Sequence, residues 1–141
     1  VRSLGTGFLM ALVGRRGPGK TQLAVDACRS SVEIGREARY TKAIEILLEF
    51  RRGHNACEGE LFIPYLTCQL LVIDELQVRG ETPFEDRMLV HMIDKRYDGC
   101  VDTLLIANLE PAEFENTMGS SVAGRMRETG GVIICDWESF R

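Results

Sequence analysis

The run Gly14-Arg15-Arg16-Gly17-Pro18-Gly19-Lys20-Thr21 fits G-x-x-x-x-G-K-[ST], the pattern of a phosphate-binding loop. The residue types suit the task. Glycines let backbone N–H groups curl around an anion, Lys20 reaches the β- and γ-phosphates, and the Thr21 hydroxyl ligates Mg²⁺. Gly14, Gly17, Pro18, Gly19, Lys20, Thr21 and Gln22 are therefore the expected nucleotide-binding residues. Pro18 is the irregularity. Having no N–H, it removes a donor from the nest and predicts weaker nucleotide binding than another residue there. Arg15 and Arg16 read either as an added positive field or as solvated loop residues.

Three more groups could complete a reaction. The apolar run Leu70-Leu71-Val72-Ile73 ends in Asp74 and Glu75. A carboxylate closing a buried strand suits a shared Mg²⁺ site, so Asp74 is expected opposite Thr21. Glu75, one residue on, is expected to polarise an attacking water as general base. Asn108 follows a later apolar run, where a neutral amide can bond both a γ-phosphate and that water; alone, it is also an ordinary turn residue. Ser121-Val122-Ala123-Gly124-Arg125-Met126-Arg127 carries two arginines, either of which could stabilise phosphoryl charge in a neighbouring subunit. By spacing alone both also suit a solvated surface.

The scaffold that must hold these groups is legible in the apolar pattern. Phe8 to Val13 reads as a buried strand feeding the loop, and Leu23, Ala24, Ala27, Cys28 and Val32 recur at helical spacing behind it. Glu37 to Thr41 is a second strand after the Ile34-Gly35 stop, and Ala43 to Arg52 a helix with Ile44, Leu47 and Leu48 on one face. Gln69 to Ile73 is a continuous apolar strand of the parallel-sheet kind. The Gly80-Glu81-Thr82-Pro83 turn opens a helix marked by Phe84, Met88, Leu89, Met92 and Ile93. Thr103 to Ala107 is the fourth strand, Glu110 to Glu128 a helical stretch, and Val132 to Cys135 the fifth strand. Five strands separated by helices imply a three-layer α/β fold, with a parallel sheet, helices on both faces and right-handed crossovers. Ligands of such sheets bind at the carboxyl ends of the strands.

Composition narrows the class. A chain of 141 residues is read as one domain with a sizeable core. Its apolar fraction of 45% and charged fraction of 27% are those of an ordinary globular protein. No apolar stretch approaches the ~20 residues that span a bilayer, so no membrane partner is expected. The first apolar run feeds the loop and lacks the layout of a signal peptide. A net charge of −4 excludes a generally basic nucleic-acid coat, though not a local basic stripe. Five cysteines without a C-x-x-C pair suit reduced thiols and a cytoplasmic location. His54, Cys57 and Cys68 do not complete a tetrahedral zinc set.

With these elements in this order, the chain resembles the AAA+ P-loop ATPases, and within them the DnaC/IstB-like branch of helicase loaders and transposition helpers. Gly14 to Thr21 resembles Walker A, Leu70 to Glu75 Walker B, and Asn108 sensor 1. Gly124-Arg125-Met126-Arg127, followed by Gly130-Gly131-Val132-Ile133, resembles the arginine-finger motif, with Arg125 at the finger position. Ile93-Asp94-Lys95-Arg96-Tyr97 and Asp136-Trp137-Glu138-Ser139-Phe140-Arg141 are similar to two motifs of the loaders themselves.

The resemblance implies ATP/ADP and Mg²⁺ as cofactors, and hydrolysis with Glu75, Asn108 and Arg125 as catalytic residues. It implies self-association with Arg125 acting in trans, and no small helical lid domain. It also implies single-stranded DNA binding by the helix after the second strand. There Lys42, Arg51 and Arg52 would meet phosphates, and Tyr40 or Phe50 a base. A replicative helicase is the implied partner, and the family's helicase-binding N-terminal region is expected to be absent from residues 1–141. Other readings are an IstB-like helper of an insertion-sequence transposase, a monomeric P-loop kinase and a non-hydrolysing nucleotide-binding module.

Overall fold

Successive residues of a β-strand face opposite sides of its sheet, and here both sides are apolar. β1 (Leu9–Val13), β2 (Ala38–Lys42), β3 (Leu70–Asp74), β4 (Asp102–Ala107) and β5 (Gly131–Ile134) pair in parallel in the order β2-β3-β4-β1-β5. Leu9, Ala11, Val13, Leu71, Ile73, Leu105 and Ala107 face one core, while Leu12, Leu70, Val72, Leu104 and Ile106 face the other. The first core is covered by α2 (Ala43–Arg52), α3 (Glu58–Thr67), α4 (Pro83–Asp98), α5 (Pro111–Met118) and α6 (Ser120–Thr129). The second is covered by α1 (Lys20–Glu33) through Ala24, Ala27 and Cys28. This is the expected three-layer architecture. The structure is a computed structural model and describes residues 3–17, 19–53, 58–78 and 82–138, among which no lid domain is present.

Local chemistry accounts for most element ends. The Thr82 hydroxyl accepts from the Glu85 N–H at 3.3 Å, and Pro83 opens α4 where its missing N–H costs nothing. The buried stripe of α4 is Glu85, Leu89, Met92, Ile93 and Arg96, so Phe84 is exposed instead of marking the core face. In α2 the buried residues are Ala43, Ile46 and Leu47, while Leu48 is exposed. The single helical stretch expected after β4 is two helices, broken at Gly119, whose φ of 85° is left-handed. The second and third strands each start and end one residue later than their apolar runs suggest, β4 starts one residue earlier, and β5 stops before Cys135. α3 has no counterpart in the apolar pattern, because Pro64 inside it reads as a breaker. The helix holds through tertiary burial of Phe62 and Tyr65.

At the amino ends of the strands lies a second polar cluster. Arg96 is fully buried and donates to the carbonyls of Tyr65 (2.6 Å), Cys68 (2.9 Å) and Asp102 (2.6 Å) and to the Thr103 hydroxyl (2.9 Å). It staples the end of α3 and the start of β3 to β4. Burial pushes its pKa down, and the neighbouring Cys68 opposes that. The Asp102 carboxylate, also fully buried, accepts from the N–H groups of Gly5 (2.5 Å), Gly7 (2.8 Å) and Phe8 (3.3 Å) and from Arg36 (3.0 Å).

Candidate functional site

The loop after β1 is shaped by backbone geometry. Gly14 has φ 129°, and a Cβ there would lie 2.4 Å from the Cys135 carbonyl oxygen, so no larger residue fits. Gly19 adopts the left-handed conformation at the start of α1. The first turn of α1 carries no acidic side chain, which leaves its N-terminal N–H groups and partial positive charge facing the loop. Lys20, only 4% exposed, folds back and donates to the carbonyls of Gly14 (3.0 Å) and Arg15 (2.5 Å). Burial pushes its pKa down, with Cys135 and Asp74 opposing the shift. Pro18 lies outside the described residues, as do His54, Cys57, Gly80, Glu81 and residues 139–141.

The sheet brings the two expected metal ligands together. The Thr21 hydroxyl donates to Asp74 Oδ2 at 2.9 Å. The same oxygen accepts from the Tyr40 hydroxyl at 2.5 Å, and Asp74 Oδ1 accepts from the Glu75 N–H at 2.6 Å. A hydroxyl and a carboxylate in contact beside a phosphate loop are the hard oxygen donors that Mg²⁺ takes, one or two from protein and the rest from phosphate and water. Tyr40 comes from the neighbouring strand β2, where β2 and β3 pair Tyr40 with Val72 and Lys42 with Asp74. Burial and the bond to Asp74 push the Tyr40 pKa well above its usual range.

Glu75 has φ 55°, left-handed for a residue with a side chain, a strain characteristic of functional sites. Its carboxylate pairs with Lys42, Nζ to Oε1 3.2 Å. Asn108 follows β4, and its N–H donates to Gln77 Oε1 at 3.0 Å, which ties the turn after β3 to the end of β4. Gly17, Gly19, Lys20, Thr21 and Gln22 share one cavity of about 960 Å³ with Glu75, Asn108 and Trp137. Gly14 sits at the root of the loop, and Gln22 donates to Asp26 at 3.2 Å.

Arg125 is elsewhere. It lies on α6 against its own α4, 2.5 Å from Asp94 and 3.9 Å from Asp98, with its guanidinium 4.8 Å from the Tyr97 ring centroid. The DNA candidates also divide. Arg51 makes a two-pronged pair with Glu85 (2.5 and 3.0 Å), Lys42 holds Glu75, and Arg52 is exposed beside a smaller cavity with Arg39, Tyr40 and Tyr65. Phe50 packs edge-on against Phe62, centroids 4.5 Å apart, and Tyr40 is committed to Asp74. Sequence reasoning missed Tyr40 as a partner of Asp74, Gln77 as a support for Asn108, and Trp137 as part of the cavity. No local signal marks the first two, since each acts across strands.

The family described as "IstB-like ATP binding protein" matches residues 8–126. The replicative helicase loader DnaC of Escherichia coli K12 is 26% identical over 132 residues, covering 91% of this chain and 54% of that protein. The chain thus spans about half the length of the curated relatives it matches. A crystal structure of the DnaC helicase loader superposes with a TM-score of 0.79 at 19% identity, covering 93% of this chain and 80% of that one. A replication initiator DnaA bound to AMPPCP and single-stranded DNA has a TM-score of 0.75 at 16% identity, covering 95% and 42%. Among the described residues no helix is long and apolar enough to cross a membrane.

Proposed function

The chain belongs to the family of IstB-like ATP-binding proteins, and from that premise we propose that it is a Mg²⁺-dependent ATPase domain of a replicative helicase loader. The observation that carries this reading is the Thr21–Asp74 contact beside Lys20, in one cavity with Glu75 and Asn108. In this reading Lys20 leaves the Gly14 and Arg15 carbonyls for the β- and γ-phosphates of ATP. Thr21 and Asp74 would hold a Mg²⁺ ion, and that ion would supply charge neutralisation at the phosphate oxygens. Water attacks the γ-phosphorus, its proton passes to Glu75, the bond to the β-phosphate oxygen breaks, and ADP and phosphate leave. Asn108 orients that water. Glu75 must first part from Lys42, and the same lysine is a DNA candidate, so engagement of a DNA phosphate would free the base.

Self-association completes the proposal. Arg125 would leave Asp94 and Asp98 to meet the γ-phosphate of a neighbouring copy. The chain binds single-stranded DNA, as the DnaA neighbour does, acts on a replicative helicase, as the name of its DnaC relatives suggests, and works in the cytoplasm, where its cysteines stay reduced. ATP turnover per subunit, followed across protein concentration with and without single-stranded DNA, tests it. A rate rising with both is expected; a rate insensitive to both overturns the composite site. Membership of the IstB-like family keeps a transposition helper as the second reading, for which duplex DNA would be the better activator.

A further inference from the structure

The strand order lays the cavity out as a line. Asp74 ends β3 and Glu75 follows it, Asn108 follows β4, the loop follows β1, and beyond the loop comes the segment after β5. Adjacent strands lie about 4.8 Å apart, so Asp74, Glu75 and Asn108 all stand on one side of the loop, while Lys20 and Thr21 belong to the loop itself. A nucleotide whose phosphates occupy the loop, with the terminal one toward Glu75 and Asn108, must direct its base the other way, past β1 toward β5.

Trp137 stands there. The Cys135 N–H donates to the Val13 carbonyl at 2.8 Å, and the Cys135 carbonyl abuts Gly14, so the chain leaving β5 is pinned against the root of the loop. Two residues later Trp137, 40% exposed, lines the same cavity as Gly17 and Lys20. Leu23, one turn into α1 and 47% exposed, is the other large apolar side chain of the described lining. Neither has any use in binding phosphate.

We propose that Trp137 is the platform on which the base of the bound nucleotide stacks, with Leu23 as a second apolar wall. The inference rests on the nucleotide-binding reading above. Every base presents a π-face, so stacking on indole is tolerant of base identity. Trp137 then supplies affinity for a nucleoside triphosphate over bare triphosphate, and little choice between ATP and GTP.

Trp137 is the sole tryptophan of the chain, so its emission reports on this spot alone. The test titrates the protein, with Mg²⁺ present, with ATP, GTP and inorganic tripolyphosphate, reading emission and calorimetric affinity in parallel. ATP and GTP are expected to change the emission, and tripolyphosphate to bind while leaving it nearly unchanged. Trp137→Ala should weaken ATP and GTP by roughly 10-fold and keep the wild-type affinity for tripolyphosphate, which also shows that the loop is folded. Trp137→Phe should fall between. Equal ATP affinity in wild type and Trp137→Ala, or an emission change as large with tripolyphosphate as with ATP, overturns the stacking role while the nucleotide site stands. A wild-type protein that binds none of the three overturns both.

Discussion

The two ends of the sheet bury charge in different ways. At the amino ends, Asp102 is saturated by three backbone N–H groups and Arg36, and Arg96 by three carbonyls and a hydroxyl. Most of these partners are backbone and move only if the fold opens. At the carboxyl ends, Asp74 is held by the hydroxyls of Thr21 and Tyr40, Glu75 by Lys42, and Lys20 by two loop carbonyls. Three of these partners are side chains that can rotate away, and the carbonyls belong to a glycine-rich loop. The same chemistry thus makes a fastening at one end and an exchangeable site at the other. The difference lies in whether the partner can leave without unfolding the chain.

Substitutions should separate the two ends. The largest effect is expected from Asp102→Ala, which removes the shared acceptor of two buried N–H groups, those of Gly7 and Phe8, and of the more exposed Gly5 N–H and Arg36. It should cost about 2–6 kcal/mol, roughly 1–3 for each of the two buried donors left unpaired, seen as a lowered urea midpoint, against a total of roughly 5–15 kcal/mol for a domain. Retention of the wild-type midpoint would remove Asp102 from the fastening. At the other end, Glu75→Gln should slow hydrolysis roughly 100-fold or more, about 3 kcal/mol in barrier, while ATP affinity and the urea midpoint stay near wild type. Turnover within a few-fold of wild type would point to another base.

Tyr40→Phe removes one donor from Asp74 and should cost about 1 kcal/mol of stability, with the loss shrinking when Mg²⁺ and ATP are added, because the ion replaces that donor. An identical loss with and without ligand would place Tyr40 among the fixed fastenings. The smallest effect is expected at Arg125. Its pair with Asp94 is partly exposed and worth about 0.5–1 kcal/mol. Asp94→Asn should therefore raise turnover roughly two- to five-fold at protein concentrations where assembly is incomplete, and Arg125→Ala should abolish that gain. A lower rate in Asp94→Asn would make the docked arginine part of the active form.

Lys20 sharpens the contrast through pH. Its pKa in the folded chain is lowered by burial, so the folded state holds fewer protons than the unfolded one between that value and the ordinary lysine value. Stability should rise with pH across this alkaline window. ATP affinity should fall in the same window, because a neutral amine no longer attracts phosphate. Calorimetry across alkaline pH reads the trend, and Lys20→Met, bearing no charge to lose, should flatten it.

Where sequence and structure agree, the signal is local. Gly14 to Thr21 with the strand before it and the helix after it is one continuous segment, so its pattern can be read from neighbouring residues. Asp74 and Glu75 were legible for the same reason, as the end of an apolar run. α3 was not, since Pro64 argues locally against the helix and only burial of Phe62 and Tyr65 overrides it. Arg96, in sequence only one residue of the Ile93–Tyr97 motif, is a staple between elements far apart along the chain. Phe50 could equally have stacked on a base or joined the core until α3 supplied Phe62.

The amino-acid sequence by itself determined the class of this protein: the phosphate loop, the strand-end acids, and an apolar pattern that admits only a covered parallel sheet. Those features arise within a few residues of chain, where backbone sterics and hydrophobic periodicity act. Only the tertiary structure decided the strand order, and with it that Tyr40 reaches Asp74, that Lys42 rather than solvent holds Glu75, that Arg125 lies on its own α4, and that Trp137 lines the cavity. Each of those contacts joins residues brought together by packing of whole elements, and no window of sequence contains both partners.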